Sequence, residues 1–276
     1  MLQIQAYLIH NADPARQAQR QAIAALLSEL GIPVELIHQQ PPLAALPPGW
    51  RGRRGVLCRE LAKLGADFAQ RRLRAPAAGL ALRCRERWMQ LKALLRWLPA
   101  PRQQLQAAWR HSQVEAIVSE KHGRAWRQAS AAGADLALVF EDDVECLPSS
   151  QRRLQALLEA APALLERQRR LYFDLAGGYP LEQVLPLLEG LPCEGLGDLM
   201  LPGVHTNTAC GYLVSRALLE AWLQALQRRP ALAHLPIDHL INRASALQAP
   251  QAISGHWRKP VFRHGSFFGT VLSWQQ

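Results

Sequence analysis

Short apolar runs alternate with longer amphipathic stretches along the chain. "IQAYLIH" (Ile4–His10) has the length and content of a strand. "DPARQAQRQAIAALLSELG" then reads as a helix, with Asp13 as N-cap, Pro14 at its first position and Gly31 closing it. "IPVELIH" predicts a second strand, and strand–helix–strand at this spacing predicts parallel pairing and an α/β fold. A proline- and arginine-rich segment, "QQPPLAALPPGWRGRRG", reads as a loop. From Val56 to about Trp109 the pattern is helical, with breaks at Pro76 and Pro99, and a further helix runs to Gly133. "LALVF" (Leu136–Phe140) is a buried strand, and "SSQRRLQALLEAAPALLERQRR" is a helix capped by Ser149 or Ser150. "LYFDLAGG" and "TACGYLVS" read as strands, and residues 180–205 between them as loop. "SRALLEAWLQALQRR" predicts a helix capped by Ser215, and "PIDHLINRASAL" one with Pro236 near its first turn. The Gly-, His- and aromatic-rich tail shows no clear period, and no internal repeat appears.

One feature breaks this pattern of buried strands and solvated helices. Leu136–Phe140 runs directly into Glu141, Asp142 and Asp143. Adjacent carboxylates repel each other, and at the end of a buried strand they cost stability unless something offsets them. In α/β sheets ligands bind beyond the carboxyl ends of the strands. Hard divalent cations take carboxylate oxygens and leave positions open for phosphate. The functional reading is therefore a Mg²⁺ or Mn²⁺ site holding a nucleotide diphosphate. The competing reading is a solvated turn in which Asp143 or Glu145 caps the next segment of chain.

Length and composition narrow the setting. The 276 residues, 49% of them hydrophobic, suit one domain over residues 1–276 with a core of its own. No uncharged apolar stretch is long enough to span a bilayer, and the N-terminus reads as structure rather than a signal peptide. Five scattered cysteines without a C-x-x-C pair fit a reducing cytosol and argue against a structural zinc site. The net charge of +10 is uneven: residues 51–127 hold 18 Lys and Arg against 5 Asp and Glu. Such a field favours an anionic partner. Within it, helical spacing puts Leu80, Cys84, Trp88, Leu91, Leu95 and Leu98 on one face, with Arg85, Lys92 and Arg96 away from it and Arg83 and Arg87 flanking. An amphipathic basic helix with tryptophan suits an anionic membrane surface, but the commoner fate of such a face is packing on the domain core.

Several segments together resemble glycosyltransferase family 25, the lipopolysaccharide-type glycosyltransferases. "GADLALVFEDDV" is similar to its acidic strand, "SEKHGRAWRQA" to the preceding helix and "TACGYLVSRALLEAWL" to its Gly-Tyr segment. "PIDHLI" and "KPVFRHGSFFGTVLSW" resemble its Pro-(Val/Ile)-Asp element and its C-terminal tail. The order and rough spacing agree. His10 and Asn11 stand where the family has Asn-Leu, and residues 51–110 lie outside the resemblance as a basic helical insertion.

The resemblance implies a GT-A fold: a Rossmann-like, mostly parallel sheet flanked by helices. It implies a metal-dependent, inverting transfer of a sugar, galactose first among candidates, from a UDP-sugar to a hydroxyl of a surface glycan such as lipopolysaccharide. On that model Asp143 is the metal ligand, Asp142 contacts the metal or ribose, and Glu141 buttresses the loop. Asp238, at the first turn of its helix, is the base that deprotonates the acceptor. His264 joins the metal or diphosphate, with His256 and His239 as rivals. Lys121, Arg258, Lys259 and Arg263 are candidate diphosphate partners, although solvated surface charge is the common fate of such residues. His122 faces either the same cleft or the core.

Thr206, Asn207 and Thr208 offer hydrogen bonds to a sugar, and Gly177 and Gly178 offer close backbone approach, although a plain strand-entry loop has the same composition. The implied setting is the cytoplasm, peripheral at the inner face of the membrane, where a lipid-linked acceptor would give an interfacial helix a purpose. A nucleotidyl- or phosphotransferase would share the acidic strand end, but the G-x-x-x-x-G-K signature is absent. A non-catalytic basic module for lipid or nucleic acid would not need the acidic triplet, and nucleic acid is not an expected partner because aromatics are only weakly interleaved with the cations.

Overall fold

In a computed structural model, the five segments read as strands join two others, Leu199–Pro202 in the expected loop and Ile253–His256 in the tail, in one seven-stranded mixed sheet. Residues 2–38, 41–74, 79–181 and 199–269 are described; the Pro76 break, Cys193 and most of the loop expected at 180–205 lie outside them. The strands are β1 (Ile4–His10), β2 (Val34–His38), β3 (Leu136–Glu141), β5 (Leu171–Asp174), β6 (Leu199–Pro202), β7 (Gly211–Ser215) and β8 (Ile253–His256), in the order β2-β1-β3-β7-β5-β8-β6. β1, β2, β3, β5 and β8 run one way; β7 and β6 run against them. A separate two-stranded ribbon pairs β4 (Val144–Cys146) with β9 (Phe262–His264).

The first unit forms as its local signals dictate. Asp13 accepts the backbone N–H of Ala15, and Pro14 begins a 3-10 turn (Pro14–Arg16) that leads into α1 (Gln17–Glu29). Gly31 takes φ +69°, the left-handed conformation that ends a helix at little cost in glycine. The chain then enters β2, parallel to β1.

Side-chain alternation along the strands divides the core in two. On β3, Leu136, Leu138 and Phe140 face α1 and α5 (Ser150–Arg167), while Ala137 and Val139 face the other layer. That second layer is built by α4 (Arg102–Ala131), α6 (Arg216–Arg228) and α7 (Ile237–Gln248), around Trp126 and Trp222. The helices therefore cover both faces of the sheet, an arrangement compatible with a Rossmann-like architecture. No described helix is long and apolar enough to cross a membrane.

The basic insertion is helical, as its pattern predicts, but with different bounds. α2 (Gly49–Arg74) starts inside the segment read as a loop. α3 (Gly79–Trp97) ends before Pro99, and α4 runs unbroken from Arg102 through residue 110. A small core of Val56, Leu57, Trp97, Ala100 and Leu105 joins these helices. Arg53 closes it by donating to the carbonyls of Trp97 (2.9 Å), Leu98 and Ala100 (2.9 Å), which end α3. The caps expected from hydroxyls are redirected. Ser215 Oγ accepts the Leu171 N–H and donates to the Arg169 carbonyl, and Ser150 Oγ bonds Leu147 and Val261.

The layered core makes a direct prediction. Leu138→Ala, at a fully buried position of β3, should cost about 2–5 kcal/mol in chemical denaturation. Leu36→Ala, on the 60% exposed side of β2, should change stability by less than about 0.5 kcal/mol.

Candidate functional site

The site forms where β3 runs out of sheet. Phe140 pairs with Gly211 of β7, and the Glu141 N–H still reaches the Cys210 carbonyl at 2.7 Å. The next residues turn into β4, whose ladder sets Val144 opposite His264 of β9. The Gly265 N–H then donates to the Asp143 carbonyl at 2.8 Å. Two segments far apart in sequence are thus held side by side by backbone pairing, which brings His264 Nδ1 to 3.6 Å from Asp143 Oδ2.

The three adjacent acids meet three different environments. Asp142 turns back toward the 3-10 turn before α1, where Arg16 Nη1 lies 2.6 Å from its Oδ1 and Arg20 Nη1 lies 3.6 Å from Oδ2. Arg16 and Asp142 are both buried, so this pair neutralises charge that has left water.

Glu141 points the other way, 3.2 Å from His122 Nε2. Burial, then the neighbouring Asp143, pushes its carboxyl up to about 8, so it holds a proton at neutral pH. His122 is fully buried and its pKa falls to about 3, chiefly through desolvation, so its ring is neutral. Trp126 Nε1–H donates to the Tyr212 hydroxyl at 2.9 Å, and the same hydroxyl lies 2.8 Å from His122 Nδ1, so a hydrogen-bonded chain runs from Trp126 through Tyr212 and His122 to Glu141.

Asp143 is the acid without such compensation. Its Oδ2 accepts the Ser266 hydroxyl, and its buried Oδ1 has no hydrogen-bond partner among the described residues.

Asp143 opens onto a cleft of about 320 Å³ lined by Glu141, His264, Ser266, Thr208, Asp238 and Glu115, among others. Asp238 arrives on the first turn of α7 and accepts the Ala209 N–H on Oδ1 at 2.9 Å, and its Oδ2 makes no hydrogen bond among the described residues. Thr208 has φ +67°, a costly conformation for a β-branched residue, and it sits on the cleft wall. Glu115 comes from α4, held by Lys63 Nζ of α2 at 2.5 Å. The structure therefore brings Asp143, His264, Asp238 and Thr208 into one cleft.

Four other residues read as cofactor contacts stand elsewhere. Asp142 is committed to Arg16 rather than to the cleft. Lys121 is buried behind the strand end, with Nζ donating to the His10 carbonyl at 2.9 Å, and burial lowers its pKa against the pull of Asp142 and Glu141. Thr206 exchanges two hydrogen bonds with Asn242, through its backbone N–H and its Oγ1. Asn207 donates its backbone N–H to buried Asp174 and bonds both backbone polar groups of Tyr179. These two residues build the loop instead of facing a sugar. Gly177 and Gly178 serve that same loop: a Cβ at either would stand 2.7–2.8 Å from Asn207 or Thr208.

Of the rival histidines, His256 is buried and neutral, lowered to about 3 by desolvation, and His239 pairs with Asp67 of α2 at 2.8 Å. Arg263 pairs with Glu145. Glu115, Ser266 and Phe267 line the cleft without having been singled out in the sequence. Ser266 and Phe267 lie two and three residues beyond His264, the only signal for them; Glu115 looks like any solvated helix acid.

Among the described residues no group of three or more His, Cys, Asp or Glu is arranged to hold a metal ion. The described residues therefore form no complete protein cage; Asp143 and His264 lie 3.6 Å apart at the strand end. Magnesium-type ions keep several waters and use one or two protein oxygens plus phosphates. His264 Nδ1 accepts the Phe267 N–H at 3.3 Å and lies 3.3 Å from the Ser266 hydroxyl, so as a metal ligand it would have to give up that N–H bond or turn its other ring nitrogen to the cleft. The orphaned Asp143 Oδ1 supplies the unmet valence. A scan against models of known protein families gives no match for this chain, and a search of curated proteins gives none either.

The raised Glu141 carboxyl has a measurable consequence. A group protonated longer in the folded than in the unfolded chain supports folding fully below its ordinary value of 4.5, and its support is lost as pH rises toward about 8. The melting temperature of the wild type relative to Glu141→Gln should therefore fall between pH 5 and pH 8. Neutral His122 and His256 act oppositely, lowering stability in both proteins as pH drops below 6.5.

Proposed function

We propose that the chain is a metal-dependent inverting glycosyltransferase of the GT-A type, moving a sugar from a UDP-sugar to a hydroxyl of a surface glycan. The observation that carries this reading is the convergence of Asp143, His264 and Asp238, from three separate segments, on one cleft at the carboxyl end of β3. The mixed sheet with helices on both faces is compatible with the fold this function expects.

Asp143 and His264 are the residues that would hold a divalent cation, Mn²⁺ or Mg²⁺. Bound there, the ion would supply Lewis-acid neutralisation of the departing diphosphate. Asp238 takes the proton from the acceptor hydroxyl as its oxygen attacks the anomeric carbon and UDP leaves from the opposite side. The Ala209 N–H fixes Asp238 Oδ1, so one carboxylate oxygen is oriented and the other accepts the proton. Glu141, protonated and held by His122, adds no second negative charge beside the donor. Thr208 Oγ1 donates to the Ala176 carbonyl at 3.4 Å and so offers the cleft an acceptor only, and the aromatic ring of Phe267 offers a surface against which a sugar can lie.

Two substitutions separate these roles. Incubation with UDP-sugars, UDP-galactose first, should release UDP with Mn²⁺ and not with EDTA. Asp143→Ala should lower that release by about 10²-fold or more. Asp238→Asn should retain UDP binding while transfer falls by about 10²–10⁴-fold. Undiminished metal-dependent release by Asp143→Ala, or full transfer by Asp238→Asn, contradicts the assignment.

A further inference from the structure

The apolar stripe of α3 is turned outward. Leu80 is 74% exposed, Leu95 64%, Trp88 54% and Leu91 44%, with Cys84 and Leu98 also exposed. At about 100° per residue the five of these within α3, Leu80 to Leu95, fall within an arc of about 80°, and Leu98 follows just past its end. Burial against the core, the usual fate of such a stripe, is not what the structure has. Ala93, Leu94 and Trp97, outside that arc, join the small insertion core against α2, and Leu82 and Met89 on the far side are half-buried. The helix is already fastened, so the outer stripe is a second apolar face.

The charges around the stripe say what it fits. Arg83 and Arg87 flank it on one side; Arg85, Lys92 and Arg96 flank it on the other, and all five are exposed. The only acid in α3, Glu86, is half-buried on the inner side. Lys92 Nζ lies over the Trp88 ring at 5.3 Å. A second copy of the chain laid on this face would bring five cations against five. Nucleic acid would find phosphate partners, but mainly aliphatic side chains where bases need stacking and hydrogen bonds. An anionic bilayer surface satisfies both parts: leucines and Trp88 enter the boundary of the acyl region while the cations meet lipid phosphates.

We propose that the outer face of α3 docks the protein on an anionic phospholipid surface. The docking helix is carried on the body that holds the cleft, because α2 is tied to α7 by Asp67–His239 and to the cleft wall by Lys63–Glu115. The proposal stands on the helix alone and does not require glycosyl transfer.

Sedimentation of the full chain with vesicles of phosphatidylcholine, with and without phosphatidylglycerol, tests it without any transfer assay. The expected result is binding to the phosphatidylglycerol vesicles that weakens with salt. Leu91→Gln/Leu95→Gln should reduce it by about 10-fold or more, and Arg85→Gln/Lys92→Gln/Arg96→Gln by about 100-fold. All five positions are exposed, so an unchanged melting temperature should accompany each loss. Failure to bind phosphatidylglycerol vesicles overturns the proposal, as does equal binding by Leu91→Gln/Leu95→Gln. A dimer in analytical ultracentrifugation that this double variant dissolves would reassign the face to a second copy. Oligonucleotide binding that the vesicles cannot displace would reassign it to nucleic acid.

Discussion

Three adjacent carboxylates at the end of a buried strand cannot all stay charged without compensation, and the arrangement of the site reflects how their charge is divided. Asp142 is matched by Arg16 and Arg20, and Glu141 is neutralised by a proton under the hold of His122. Asp143 remains, with one buried oxygen lacking a partner among the described residues. Each solution uses a different part of the fold. The turn before α1 supplies the arginine, α4 and β7 supply the Trp126–Tyr212–His122 chain, and the β4–β9 ribbon supplies His264. The sheet thus leaves one of the three acids, Asp143, facing a cleft that also holds Asp238 and Glu115.

The same division explains which site residues were legible in the sequence. The strand and its acidic end are local signals, and the cleft contains Asp143, Asp238, His264 and Thr208 as the sequence expectations require. The resemblance separates Asp143 from Asp142 but sends both toward the ligand; that Asp142 turns away depends on Arg16, a residue that local pattern marks only as part of a helix start. Thr206 and Asn207 have the chemistry of sugar contacts, but Asn242, Asp174 and Tyr179 use their polar atoms first. Glu115 becomes a cleft residue only through the crossing of α4 behind the sheet.

Much of the fold is dictated by short-range chemistry. The Asp13 cap, Pro14, and Gly31 in its left-handed conformation fix the first βαβ unit. Strands β4, β6, β8 and β9 were not foreseen because each is three or four residues long and exists through long-range pairing. Helix α3 shows the limit of periodicity: its spacing defines two apolar sides, and the richer leucine stripe is the one left in solvent. Contacts to α2 decide that choice, and they are invisible in a pattern that treats each helix alone.

The division of charge is tested most directly by titrating Mn²⁺, in the presence of UDP, while monitoring the free-ion signal by electron paramagnetic resonance. The account predicts that the wild type removes the signal at a stoichiometry of about one ion per chain and that Asp143→Asn, folded to the same melting temperature, leaves it intact. Equal removal of the signal by Asp143→Asn, or none by the wild type, would contradict it.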